Sequence, residues 1–199
     1  MTVALGAAAV VAAFLIGSIP FGYLIGKVAF RTDIRREGSG NIGAMNALRT
    51  LGKRGAASVL VLDALKGFVP AFIAVRAGLP DLAACVAAAA VLGHCFSPWL
   101  GWRGGKGVAT SFGAVFAFSW LAGLLTAAAW AAGAGTTRYS SVGSMAGSVL
   151  TPVFVWFTTR SVAETIYAGM AALLVLYLHR ENIARLRAGT ERAIGAGPS

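Results

Sequence analysis

The feature that most constrains this chain is a series of apolar runs, each long enough to cross a lipid bilayer. The first charged residue is Lys27, and further apolar runs cover about residues 56–76, 81–99, 108–134, 140–158 and 162–178. A helix needs about 20 apolar residues to cross a hydrocarbon core of about 30 Å. The runs therefore predict an all-α, polytopic membrane helix bundle.

Composition supports a membrane protein with one domain, residues 1–199. Hydrophobic residues make up 57% of the chain and charged residues 12%, about half the roughly 25% that is typical of soluble domains. The first run, 3–28, lacks the basic start of a signal peptide and is too long for one, so we expect a retained span with a kink at Pro20. Cys85 and Cys95 share one apolar segment and indicate neither a disulfide framework nor a metal cluster.

The distribution of basic residues predicts how the chain is threaded through the membrane. If 108–134 were a single span, Arg138 and the basic tail would lie outside, against the positive-inside rule. Two short helices of about 13 residues, each about 20 Å long, return the tail to the inside. Of the 17 basic residues, only Arg76 and Arg160 then face out, and Lys66 lies within a span. We therefore predict seven helices, with the N-terminus outside, the C-terminus inside and a turn near 119–123.

This topology places four polar motifs on the cytoplasmic face, and the first is GSGNIGAMNALR, residues 38–49. Its closely spaced glycines can let backbone N–H groups converge on an anion, and its arginine has a fork suited to phosphate. A solvated turn before a short helix is the alternative. The candidate phosphate ligands are Gly38, Ser39, Gly40, Asn41, Gly43, Asn46 and Arg49.

The second motif is GWRGGKGVAT, residues 101–110, which opens directly into an apolar helix. It is not a nucleotide-binding P-loop, because Gly107 rather than Ser or Thr follows Lys106. A helix N-terminus nevertheless presents free N–H groups to an anion, so Gly104, Gly105, Lys106 and Gly107 are candidate phosphate ligands. A plain positive-inside signal is the alternative for Lys106, and His94 is interpreted as a capping or buried structural histidine.

The last two motifs are TRYSSVGS, residues 137–144, and HRENIARLRAGTE, residues 179–191. In the first, Ser141 and Ser144 are candidate phosphate ligands, or else Ser140 or Ser141 caps a helix. In the second, His179 and Asn182 share a helical face, although an amphipathic tail resting on anionic lipid would have a similar sequence.

Asp63 and Lys66 are charged residues inside a predicted span. Their i, i+3 spacing allows an ion pair on one helix face. Intramembrane charges are costly and usually mark function or a structural pair, and we interpret these two as a structural pair.

Two glycine loops and several cations on one membrane face make room for two phosphate groups beside apolar helices that suit an acyl chain. A transporter of organic or inorganic phosphate is the main alternative. Transporters place their sites near the midplane and often show inverted halves, whereas no repeat is visible here. A plain membrane scaffold would leave the four motifs unexplained.

The chain resembles the bacterial acyl-phosphate-dependent glycerol-3-phosphate acyltransferases over nearly its whole length. The resemblance rests on GSGNIGAMN, on GH followed by GGKGVAT, on RYSSVGS and on HRENIARLRAGTE. It implies transfer of a fatty acyl group from acyl phosphate to glycerol 3-phosphate, which gives lysophosphatidic acid, in the bacterial inner membrane with the active site facing the cytoplasm.

The resemblance also implies roles for single residues. The residues that would serve catalysis are Ser39, Arg49, Lys106, His179 and Asn182. The glycines around Lys106 would hold the phosphate of glycerol 3-phosphate, and Glu191 would have a structural role. We expect no cofactor, no metal and no nucleic-acid partner, and we expect a monomer in the lipid bilayer. The base that accepts the hydroxyl proton is either His179 or the departing phosphate.

Overall fold

The structure is a computed structural model that describes residues 2–195 of the chain. Within those residues the regular elements are helices and short 3₁₀ turns without a strand, so the predicted all-α class is confirmed. The nine α-helices of this region are α1 Val3–Ser18, α2 Phe21–Ala29, α3 Ala44–Arg76, α4 Pro80–Cys95, α5 Val108–Phe118, α6 Trp120–Thr137, α7 Ser140–Thr159, α8 Val162–Leu178 and α9 Arg180–Arg187.

Three described helices are long and apolar enough to cross a membrane: α3, α4 with the turn that follows it, and α7. Two bent pairs, α1 with α2 at 41° and α8 with α9 at 53°, raise this number to as many as five. α5 is apolar but has only 11 residues. The helical membrane architecture therefore agrees with the sequence, while the count of seven spans and their orientation stay predictions.

The first run is broken at Pro20, as predicted. α1 ends at Ser18, and the N–H of Ile19 donates to the carbonyl of Ile16 at 3.2 Å. That bond gives Ile16 the partner that a proline nitrogen cannot supply. The carbonyl of Ile19 instead accepts from the Lys66 ammonium on α3, at 3.0 Å.

The run 108–134 is divided into two helices at Ser119, which confirms the predicted split. Ser119 is extended, and its hydroxyl caps α6 by accepting from the N–H of Ala122 at 3.3 Å. The predicted lengths of about 13 residues each are wrong, since α5 has 11 residues and α6 has 18. α6 continues beyond the apolar run to Thr136 and Thr137, whose hydroxyls donate to carbonyls one turn back.

Small residues allow the helices to approach closely. Gly17 of α1 faces the backbone of Ala90 on α4, and Gly67 of α3 faces the backbone of Thr110 on α5. Contacts between small residues are how membrane helices gain packing without a hydrophobic driving force between them. The bundle exterior exposes large apolar side chains, among them Ile73 and Leu173, as a surface against lipid requires.

The four polar motifs meet at one end of this bundle. The residues just after the fourth motif make connections, because the tail after α9 folds back across α3 and the start of α7. Arg49 donates to the carbonyl of Arg192 at 3.3 Å, and the N–H of Ile194 donates to the carbonyl of Arg138 at 2.8 Å. Residues far apart in sequence thereby form one polar surface.

Candidate active site

The carboxylate of Glu191 organises the site. It accepts hydrogen bonds from the Ser141 hydroxyl at 2.8 Å, from Asn182 Nδ2 at 2.6 Å and from Arg185 Nε at 2.7 Å. Burial alone would raise the pKa of Glu191, but these three hydrogen bonds lower it. Glu191 is therefore ionised at neutral pH and ties α7, α9 and the tail together, which fits the structural role that the resemblance implied.

Lys106 lies beside this carboxylate without pairing with it directly. Its ammonium donates to Asn182 Oδ1, so its described hydrogen-bond partner is a neutral amide. Burial, together with the nearby charge of Arg185, lowers the pKa of Lys106 to about 8. The amine is still mostly protonated at neutral pH, and a half-buried cation of this kind favours an incoming anion.

His179 occupies the junction between α8 and α9. The side chain is 4% exposed, and its Nδ1 lies 2.7 Å from the carbonyl oxygen of Val175. A carbonyl can only accept, so in the neutral ring Nδ1 carries the proton and Nε2 keeps the lone pair. The ring orientation therefore leaves Nε2 as the atom that can take up a proton.

Arg49 and Ser39 bring the first motif to the site in different ways. Arg49 lies on the first turns of α3, close enough to Glu191 and Arg185 for electrostatic interaction. Ser39 is exposed on the preceding loop, and its N–H donates to Asn46 Oδ1 at 2.8 Å. The structure thus connects Arg49 to the cluster around Glu191 and places Ser39 at the loop surface.

The first glycine loop, where an anion nest is predicted, is held together by hydrogen bonds within the loop. The N–H of Gly40 donates to the carbonyl of Glu37 and the N–H of Gly43 to Asn41 Oδ1, both at 2.9 Å. Gly38 has a φ of 58° and faces Asn46 Oδ1. These contacts shape the turn, so two of the three predicted glycine donors are already used.

Asn46 is also better explained as a loop support than as a phosphate ligand. It is 2% exposed, and its Nδ2 donates to the carbonyls of Ile34 at 2.7 Å and Glu37 at 3.1 Å. Because its Oδ1 also accepts from Ser39, both ends of the amide are satisfied inside the protein.

The second glycine loop packs on the end of α4. The N–H of Gly104 donates to the carbonyl of Cys95 at 2.9 Å, and that of Gly105 to the carbonyl of His94 at 3.0 Å. Gly107 has a φ of 80° and precedes the first turn of α5. The N–H groups of Gly104 and Gly105 are therefore engaged within the protein, and their contact with phosphate stays a prediction. Lys106 and the free N–H groups of the first turn of α5 remain as donors.

The serines of the third motif are not helix caps, and their contact with phosphate stays a prediction. α7 begins at Ser140 with Tyr139 in the capping position, so capping by Ser140 or Ser141 is wrong. The hydroxyl of Ser141 donates to Glu191, and Ser144 is buried one turn further along α7. Ser141 therefore contacts the site through a carboxylate of the protein.

Asp63 and Lys66 form the predicted ion pair, with Lys66 Nζ 2.8 Å from Asp63 Oδ1. His94 of α4 joins them, because its Nδ1 lies 3.6 Å from the same oxygen. All three side chains are buried. The expectation that His94 is a buried structural histidine agrees with this position, although its carboxylate partner could not be read from the sequence.

Arg185 is the site residue that the sequence argument missed. It pairs with Glu191 at 2.7 Å and lies three residues after Asn182, which lies three after His179. The i, i+3 spacing of Asn182 and Arg185, which makes them neighbours on α9, was the available signal.

A cavity of about 670 Å³ lies away from this cluster. It is lined by Pro80, Asp81, Phe118, Ser119, Trp120, Thr158, Thr159, Ser161, Val162 and Glu164. These residues lie at the opposite ends of α5 and α7 from Lys106 and Ser141, so the cavity is not part of the site. Among residues 2–195, no three His, Cys, Asp or Glu side chains come together as a metal site would require.

The chain matches the family model described as glycerol-3-phosphate acyltransferase over residues 7–189. A glycerol-3-phosphate acyltransferase of Rhodopseudomonas palustris (strain BisB5) is 44% identical over 188 residues, which cover 94% of this chain and 95% of the relative. Another from Dinoroseobacter shibae is 48% identical over 187 residues, covering 93% and 91%.

Solved structures agree with these relatives. The crystal structure of PlsY, an integral membrane glycerol 3-phosphate acyltransferase, in its glycerol 3-phosphate form is similar with a TM-score of 0.91 and 39% identity, over 96% of each chain. Its lysophosphatidic acid form has a TM-score of 0.89 and 38% identity, over 96% of this chain and 95% of that one. These likenesses favour an enzyme over the transporter and scaffold alternatives. The chain belongs to the glycerol-3-phosphate acyltransferase family and is a membrane-integral acyltransferase.

Proposed function

We propose that this enzyme transfers a fatty acyl group from acyl phosphate to the sn-1 hydroxyl of glycerol 3-phosphate. The products are lysophosphatidic acid and phosphate. The observation that carries the proposal is the cluster of Lys106, Arg49 and Arg185 around the carboxylate of Glu191, at one end of a helix bundle with an apolar exterior. Solved forms of PlsY, named for glycerol 3-phosphate and lysophosphatidic acid, support the same substrate and product.

The cations of the cluster bind the two phosphate groups. Lys106 provides a compact charge that Asn182 orients, while Arg49 provides a planar fork that suits two phosphate oxygens. Removing water from these cations strengthens their attraction for an anion, since the local dielectric constant falls. Holding two anions side by side orients the glycerol hydroxyl at the acyl carbonyl, and positioning of this kind supplies much of the rate.

The chemical step needs no covalent acyl-enzyme, because acyl phosphate is a mixed anhydride with an activated carbonyl. The hydroxyl oxygen attacks the carbonyl carbon, the bond from that carbon to the phosphate oxygen breaks, and phosphate leaves with the electron pair. The hydroxyl proton goes to Nε2 of His179 or to the departing phosphate. Ser39, exposed on its loop, is assigned to hydrogen bonding with substrate.

The basic loops and tail support a site that faces the cytoplasm, in the bacterial inner membrane, because cytoplasmic loops carry an excess of Lys and Arg. All the connections that build the site lie within one chain, so we propose that the monomer is active.

The test compares two acyl donors, an acyl phosphate and an acyl thioester. Detergent-purified protein is incubated with glycerol 3-phosphate and either palmitoyl phosphate or palmitoyl-CoA, and lysophosphatidic acid is measured. We expect product from the acyl phosphate only, because a thioester carries no phosphate on its carbonyl. Comparable turnover with palmitoyl-CoA would assign the protein to another donor class, and no product with either donor would overturn the proposal.

A further inference from the structure

The buried charges of α3 and α4 lie below the loop that carries Lys106. Asp63, Lys66 and His94 are 1%, 3% and 4% exposed. Charges at this depth are costly, and they persist where they pair or serve a function. Asp63 and Lys66 form an ion pair, and the pairing of these two charges does not by itself explain why a histidine from a second helix turns its Nδ1 towards the same carboxylate oxygen.

The other side of the His94 ring faces the glycine loop. A methyl group on Gly105 would overlap the imidazole around Nε2, so the ring packs directly against this glycine. The carbonyl of His94 also accepts from the N–H of Gly105 at 3.0 Å. Gly105 is thus held by both the side chain and the backbone of His94, one residue before Lys106.

On its other side the ring of His94 lies against the ion pair, with Nδ1 3.6 Å from Asp63 Oδ1, and the ion pair is itself anchored at a helix break. Lys66 Nζ donates to the carbonyl of Ile19 at 3.0 Å, where α1 and α2 part, and its ammonium lies 5.7 Å from the ring centroid of Phe21. An unbroken chain of contacts therefore runs from this break through Lys66, Asp63 and His94 to the loop.

We infer that Asp63, Lys66 and His94 form a buried positioning unit that holds residues 104–107 so that the Lys106 ammonium reaches Asn182 and the substrate phosphate. The inference rests on the phosphate-binding role proposed for Lys106. None of the three residues touches substrate, and they act by setting where one cation lies. Small displacements of a binding group can cost about 100-fold in rate.

His94→Gln is the first variant, because it removes the imidazole without leaving a buried charge unpaired. We expect the KM for glycerol 3-phosphate to rise about 10-fold or more, with a smaller change in kcat. Thr126→Val is the matched control: it removes another buried polar contact, 3.0 Å between Thr126 and Thr151, on helices away from the loop. It should leave this KM unchanged even where it lowers the thermal unfolding temperature.

A double-mutant cycle tests whether the unit acts through Lys106. If it does, adding His94→Gln to Lys106→Met changes kcat/KM by less than about 2-fold, since the group being positioned is already absent. An equal fold-loss in both backgrounds, or an unchanged KM in His94→Gln alone, overturns the inference. Full activity of Lys106→Met by itself would instead remove the proposed role of Lys106.

A second variant tests the same inference if His94→Gln does not fold. Asp63→Asn combined with Lys66→Met removes both charges together, because removing one partner alone strands a buried charge. We expect this double variant to raise the KM for glycerol 3-phosphate as His94→Gln does. We also expect it to change kcat/KM by less than about 2-fold when Lys106→Met is already present. A folded double variant with the original KM overturns the inference.

Discussion

At the scale of single residues, the chemistry depends on cations that the protein leaves incompletely neutralised. Lys106 donates to an amide oxygen, and Arg49 donates to a backbone carbonyl. Glu191, the carboxylate between them, is engaged by Ser141, Asn182 and Arg185. A phosphate that enters the cluster therefore meets positive charge without displacing an ion pair of Lys106.

Replacement of Lys106 by Met should lower kcat/KM for glycerol 3-phosphate by roughly 10- to 150-fold. The loss of one charge-assisted hydrogen bond of about 1.5–3 kcal/mol gives this range. Lys53→Met is the control, since Lys53 is an exposed cation on α3. Steady-state kinetics of both variants at matched expression check the prediction, and an active Lys106→Met enzyme would leave Lys106 as a topology signal.

The activity should also depend on pH through Lys106, whose pKa burial lowers to about 8. The amine is charged below that pH and loses its charge above it. At pH 9 about one tenth remains protonated, so kcat/KM should fall about 10-fold between pH 7 and pH 9. In Lys106→Arg the guanidinium stays charged over this range. A pH profile that keeps the same inflection in Lys106→Arg would assign it to another group.

At the scale of elements, the loop between α4 and α5 explains why glycines surround Lys106. Gly104 and Gly105 pair with carbonyls at the end of α4, and Gly105 lies against the ring of His94. The absence of side chains there allows the loop to approach α4, which leaves Lys106 to point towards α9. The loop is thus a spacer fitted to one helix end.

Gly105→Ala should raise the KM for glycerol 3-phosphate because the added methyl group overlaps His94 and displaces the loop. We expect a rise of about 10-fold or more, as for other small shifts of a binding group. Gly135→Ala on α6 is the matched control, since a methyl there meets open space. Kinetics with both variants decide the point: an unchanged KM in Gly105→Ala would mean that the loop tolerates the shift.

At the scale of the whole molecule, function requires all four motifs on one side of the membrane. The contacts of α9 with the loop before α5, and of the tail after α9 with α3 and α7, bring the motifs to one end of the bundle. The break at Ser119 makes this possible, because a continuous helix through 108–134 would carry the third motif to the other end.

The topology can be measured by labelling single cysteines in intact cells. Cysteines at 78 and 160 should react with an impermeant reagent, while those at 52, 138 and 190 should react only after permeabilisation. Cys85 is exposed in the structure and is first replaced by serine. Labelling of position 138 from outside would contradict both the seven-helix arrangement and a cytoplasmic site.

The local sequence of residues along the chain determined many features of the secondary structure. The apolar runs require membrane helices, Pro20 requires a break, and Asp63 and Lys66 can pair because they are one turn apart. The balance of basic residues required an interruption of 108–134, which the structure places at Ser119. Each of these follows from helix geometry or from the energy of charge in lipid, which act over a few residues.

Only the tertiary structure decided which partner each polar group takes. Helix crossings bring Lys106 to Asn182, which is 76 residues away in sequence. The tail folds back and brings Glu191 to Ser141, which is 50 residues away. The same packing directs the N–H groups of Gly104 and Gly105 to α4, where the sequence suggested phosphate, and brings His94 to Asp63. Helical periodicity shows which face a residue occupies. The neighbour on that face depends on long-range packing between helices, which no local pattern records.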